Sequence, residues 1–87
     1  MTFESTIVYK GRIRIMRLLA QNGEVTVNQM IKKTGNNHGV TLKHLRALEK
    51  SGVVTQKIVG KTRLWMYAET PRGRKVKDFF RAMEAQE

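Results

Sequence analysis

The chain predicts an α+β fold, mainly α, organised around a helix-turn-helix. Two short amphipathic helical patterns flank the polar break Thr34-Gly35-Asn36-Asn37 between Val27 and Val54. The period then changes from helical to extended, and Val53 to Val59 and Thr62 to Ala68 are rich in β-branched and aromatic residues around Gly60-Lys61. Lys and Arg number 17 against 7 Asp and Glu, a formal net charge of +10. An excess of that size repels itself in a compact state, so it points to a polyanionic partner, with nucleic acid ahead of an anionic membrane surface.

A length of 87 residues supports one domain spanning 1–87, with a core small enough that a second copy would be a useful stabiliser. There is no cysteine, which removes disulfides, zinc fingers, iron–sulfur ligation and thiolate chemistry, and fits a reducing cytoplasm. The most apolar run, Ile15 to Ala20, is interrupted by Arg17 and is far shorter than the roughly 20 residues of a spanning helix. No signal or transit signature precedes it, so a cytoplasmic, nucleoid-associated protein is expected, with no membrane partner.

In chain order, Ile13, Met16, Leu19 and Ala20 recur at helical spacing, with Ile15 and Leu18 widening the stripe and Arg12, Arg14 and Arg17 outside it. This first helix ends at Asn22-Gly23. Gly11 weakens its start, so residues 1–9 are open to a strand, an arm or an extra turn. Glu24-Val25-Thr26 is long enough only for an edge strand, and Thr26 with Gln29 makes a capping box for a helix reaching Lys33. Gly35 supplies the stop, Asn36 or Asn37 the next cap, and the following helix runs to about Lys50 before Ser51-Gly52. The β-hairpin comes next, with a basic tip. Thr70-Pro71 then places an N-cap and a first-turn proline before a last helix over 71–86, with an apolar face of Val76, Phe79, Phe80 and Met83.

That order resembles the winged helix-turn-helix domain of ArsR-type and MarR-type prokaryotic regulators. The stretch Arg12-Ile13-Arg14-Ile15-Met16-Arg17-Leu18-Leu19 resembles the family's opening helix, and Gly23-Glu24-Val25-Thr26-Val27-Asn28-Gln29-Met30 its passage into the second. His44-Leu45-Arg46-Ala47-Leu48-Glu49-Lys50-Ser51-Gly52-Val53-Val54 is similar to the end of its recognition helix and its first wing strand, and Thr70-Pro71-Arg72-Gly73-Arg74 to its exit from the wing. The resemblance covers about Arg12 to Met83 and implies DNA binding and transcriptional regulation. Leu42 stands where many relatives carry a small hydroxyl residue, Thr41 at a usual valine position, and Gly39 in the first turn, so base contacts do not transfer. Without cysteine, the thiolate metal sensing of some ArsR-type relatives is not open to this chain, and no small-molecule effector is named by the sequence.

On a helical wheel Thr41, Leu45 and Leu48 share one side, while Gly39, Lys43, Arg46 and Lys50 fall opposite. With Asn37, His38, Val40 and His44 these make the expected DNA-reading set. Lys43 or Arg46 suits guanine and Val40 a thymine methyl; Asn37 suits adenine, against a simpler role as a cap. Lys61, Thr62 and Arg63 at the hairpin tip suit a minor groove or phosphate, or merely discourage edge pairing. Trp65 and Tyr67 share a hairpin face, better placed for a core than for stacking on single-stranded bases. Arg72, Arg74, Lys75 and Lys77 put positive charge where a helix dipole disfavours it; Arg72 and Arg74 are therefore expected on phosphate, against an ordinary solvated face. Val76, Phe79, Phe80 and Met83 are expected to close the core and form a homodimer seam, spacing two reading helices roughly 34–36 Å apart on palindromic DNA.

His38 and His44 lack the convergent partners of a metal site, the acids are scattered, and no nucleophile–base pair is present. A non-enzyme without cofactor or metal is expected: a homodimeric, duplex-DNA-binding transcriptional regulator. The alternatives are an architectural chromatin protein, an RNA- or ribosome-associated winged helix, and a protein-interaction module.

Overall fold

A helix, α1 (Phe3–Asn22), opens the chain in the computed structural model, which describes residues 3–85. The segment left open between strand, arm and turn is therefore helical from Phe3 onward. Gly11 does not break it, because the imidazole of His44 lies against its bare backbone: a Cβ built there would stand 2.6 Å from His44 Nε2. Glycine costs a helix interior about 1 kcal/mol, and this close approach offsets the cost. Ile15, Leu18, Leu19 and Ala20 are buried, whereas Ile13, expected within the stripe, is exposed on the flank. The Gly23 amide donates to Leu19 O at 2.8 Å with φ 80°, the left-handed stop expected there.

β1 (Glu24–Val25) pairs antiparallel with β3 (Thr62–Tyr67), which pairs on its other side with β2 (Val54–Val59), so the sheet order is β1-β3-β2. In β2 and β3, Val59 lies opposite Thr62 and Gln56 opposite Trp65. The hairpin closes over two residues, with Gly60 at φ 63° as the first turn position of a II′-type turn requires. Trp65 and Tyr67 are buried, and the Tyr67 hydroxyl donates to Met16 O at 2.5 Å, locking the sheet to α1.

α2 (Val27–Thr34) carries the capping box: the Gln29 amide donates to Thr26 Oγ1 and the Thr26 amide to Gln29 Oε1. Gly35 ends it at φ 76°. α3 (His38–Lys50) is capped by Asn37, whose Oδ1 accepts from the Val40 amide at 2.8 Å. Thr41, Leu45 and Leu48 point into the core that α1, α2 and the sheet also line.

α4 (Pro71–Ala85) starts at Thr70, whose hydroxyl accepts from the Gly73 amide at 2.9 Å and donates to Gly52 O at 2.6 Å. Its expected single apolar face is split. Phe80 is 5 % exposed and belongs to this chain's own core, with Val76 and Met83 packed beside it. Phe79 points away, 61 % exposed, with its ring edge-on to Phe80 at 5.3 Å between centroids. The reason is helical pitch: residues 76, 80 and 83 lie along one line, and residue 79 stands about 100° round from residue 80.

Candidate nucleic-acid interface

The outward face of α3 is basic and free of packing. Asn37, His38, Gly39, Val40, Lys43, Arg46 and Lys50 are all exposed, and none of the three basic side chains takes part in an ion pair among the described residues. Two members of the expected reading set are otherwise committed. His44 is 4 % exposed and faces α1 against Gly11, so it is removed from any groove-facing surface. The wheel explains this: position 44 lies about 60° from position 41, on the packed side. Burial, then the charges of Arg12 and Lys43, lower its pKa from the usual 6.5, and its Nδ1 has no hydrogen-bond partner among the described residues. Asn37 Oδ1 accepts from the Val40 amide, so the side chain serves as the cap of α3 while staying exposed.

The wing tip lies beside the start of α3. Lys61, Thr62 and Arg63 line, together with His38 and Leu42 of α3 and Thr26 to Asn28 at the start of α2, an open cleft of about 570 Å³. Hairpin register shows why Arg63 is among them. Pairs Val54–Tyr67, Gln56–Trp65 and Ile58–Arg63 share the sheet face that packs on the helices, so Arg63 continues the Trp65 side of the sheet beyond the core. The other face carries Lys57, whose Nζ meets Glu24 Oε1 at 2.5 Å across β3. Sequence reading missed the α2 residues and Leu42 as cleft walls, although a helix-turn-helix necessarily brings the start of its first helix near that of its second.

Arg72 and Arg74 lie elsewhere. Arg72 Nη1 donates to Ser51 O at 3.0 Å, at the C-terminal end of α3, and Arg74 Nη2 pairs with Glu69 at 3.8 Å. The cation misplaced for its own helix dipole thus serves the negative end of its neighbour's. Thirteen helical residues, about 20 Å, separate that end of α3 from His38. Gly73 also escaped sequence reading: a Cβ there would stand 2.2 Å from Ala68 O and 3.0 Å from Val53 O, so this turn of α4 sits directly on backbone. Among the described residues, no three His, Asp or Glu side chains are grouped to hold a metal, and no helix is long and apolar enough to cross a membrane.

This basic helix, its turn and the adjoining wing can be compared with known proteins. The family model for bacterial regulatory proteins of the arsR family matches residues 10–56, more than half of the chain. The chain belongs to the ArsR family. It is a winged-helix transcriptional regulator, and the matched residues run from α1 through the helix-turn-helix into β2. Its fold is that of the transcriptional repressor BigR from Xylella fastidiosa, at TM-score 0.75 and 21% identity over 97% of this chain and 87% of that one. HlyU from Vibrio cholerae superposes at TM-score 0.69 with 19% identity, covering 94% and 97% of the two chains. A predicted DNA-binding transcriptional regulator from E. coli superposes at TM-score 0.73 with 13% identity, covering 97% and 90%. No curated protein matches by sequence. The family, BigR and the E. coli protein are regulators rather than enzymes.

Proposed function

We propose that this ArsR-family chain is a homodimeric, cytoplasmic regulator that binds duplex DNA, with α3 in the major groove and the wing on the backbone or minor groove. One observation carries the reading: the helix that bears the exposed cations Lys43, Arg46 and Lys50 also supplies His38 and Leu42, which line one open cleft with the basic tip Lys61 to Arg63. Lys43 and Arg46 donate to guanine edges, Val40 meets a thymine methyl, Gly39 allows close backbone approach, and His38, Lys50, Lys61, Thr62 and Arg63 hold phosphate or groove walls. For the dimer, Phe79 on α4 and Ile13 on α1 are exposed apolar residues on two helices packed against each other, linked by hydrogen bonding of Gln21 to Glu84. Such side chains suit a seam with the same helices of a second copy.

The test is selection from random duplexes followed by titration at several salt concentrations. A preferred, palindromic site with a steep salt slope is the expected result. Equal affinity for all duplexes would move the protein to an architectural role, and preference for duplex RNA or single strands in competition would replace the DNA reading altogether.

A further inference from the structure

Two adjacent aliphatic side chains stand bare at the wing tip: Ile58 is 65 % exposed and Val59 56 %. By strand alternation they point to opposite faces of the hairpin, Ile58 opposite Arg63 and Val59 opposite Thr62. Just ahead of them lies the narrow turn Gly60-Lys61. The tip is therefore a thin blade with one exposed aliphatic side chain on each face, beside Arg63 on one and Thr62 on the other, and Lys61 at its end. Among the described residues neither Lys61 nor Arg63 has an acidic partner, while Lys57, further back, is neutralised by Glu24. Solvent does not favour this arrangement, and the core makes no use of it. A polyanion with an apolar interior suits it, and stacked bases behind a phosphate backbone are such a surface.

We infer that Ile58, with Val59 beside it, is a wedge that enters the minor groove next to the recognition helix and partly unstacks a base step, bending the duplex toward its major groove. The inference rests on the duplex-binding reading above and adds a deformation to it. Apolar side chains pushed between base steps are a recurrent means of bending DNA from the minor groove, and they read sequence through the ease of unstacking rather than through hydrogen bonds. The Ile58–Arg63 face opens on the cleft shared with α3, so a duplex seated on α3 passes this side of the blade. Lys61 and Arg63 then hold the phosphates flanking the opened step. An anionic membrane is a poorer occupant, because two aliphatic side chains supply little of the area that interfacial anchoring needs.

One titration separates the possibilities. Duplexes selected for binding carry an end dye, which reports association by anisotropy, and 2-aminopurine at successive positions beside the half-site, which brightens when unstacked. The wild-type protein is expected to raise 2-aminopurine fluorescence several-fold at one step. The double variant Ile58→Thr with Val59→Thr keeps β-branching, charge and strand preference while removing apolar surface; it is expected to bind roughly tenfold more weakly and to lose that rise. Saturating anisotropy with no rise at any position, or a rise that survives both substitutions, overturns the wedge and leaves duplex binding intact. No anisotropy change with any duplex overturns both readings. Pelleting with phosphatidylglycerol vesicles that needs the same two residues, in the absence of a fluorescence rise, assigns the tip to lipid and overturns the wedge.

Discussion

His44 sits where a charge is least welcome, pressed on the backbone of Gly11 with Arg12 and Lys43 as its charged neighbours. Because its pKa in the fold is lowered from 6.5, the folded protein prefers the neutral ring. The unfolded chain takes up a proton near pH 6.5, and below that point it binds more protons than the fold does. Stability is then fully present above about pH 6.5 and falls as the pH drops toward the folded pKa. Urea midpoints measured from pH 7.5 to 5.5 should fall with pH, and His44→Gln should flatten most of that slope, since carboxylates titrate lower. Gly73 is the second residue held by close approach. Gly73→Ala must displace the Ala68 carbonyl or the first turn of α4, and should cost on the order of 2–3 kcal/mol in urea unfolding. Neither glycine declared its role in the sequence. Gly11 read as a weak helix start and Gly73 as one residue of the motif that leaves the wing, because the atoms that crowd them come from residues 33 and 5 positions away or more, and no local pattern encodes them.

At the scale of elements, local rules carried far. The capping box at Thr26–Gln29, the left-handed stop at Gly35, the cap at Asn37, the two-residue hairpin and the Thr70 cap are all short-range hydrogen-bond devices, and each stands where its residues put it. Faces defined by period also held for α3, where Thr41, Leu45 and Leu48 pack and Lys43, Arg46 and Lys50 do not. The packed position of His44 also follows from that period. Illegible were the properties set by a neighbouring element: that His44 closes on the bare backbone of Gly11, which apolar residue of α4 is left over, and where Arg72 finds its acceptor. The division of labour proposed for α3 and the wing has separable signatures. Arg46→Ala should weaken binding to the selected site by about 1–3 kcal/mol and relax preference at one base position, read by competition against single-base variants. Lys61→Ala should weaken binding alike on all sequences and reduce the salt slope by about 1. Identical losses on selected and random duplexes for Arg46→Ala would remove it from base reading.

For the whole molecule, a net charge of +10 meets a structure whose described residues form three ion pairs, two of them, Arg17–Glu84 and Arg74–Glu69, longer than 3.5 Å. Most of the positive charge therefore repels itself across a small domain, and the same charge attracts DNA. Salt should act with opposite signs on the two. Raising sodium chloride from about 0.05 to about 0.5 M shortens the Debye length several-fold and relieves repulsion, so the unfolding midpoint should rise. Over the same range log affinity for duplex DNA should fall linearly with log salt, with a slope of roughly −3 per subunit if Lys50, Lys61 and Arg63 each displace a counterion. The proposed dimer gives the third term of this balance. Joining two subunits of like charge costs repulsion, which the exposed Phe79 and Ile13 must outweigh by apolar burial, so association should tighten with salt even as DNA binding weakens. Sedimentation across the same salt series reads that trend, and Phe79→Ser should shift the equilibrium toward monomer at every salt concentration. Because a monomer presents one α3 and one wing, the variant should also halve the salt slope on the selected palindrome while leaving the slope on a single half-site unchanged. A Phe79→Ser protein that remains dimeric, with an undiminished slope, would place the dimer seam elsewhere on the molecule.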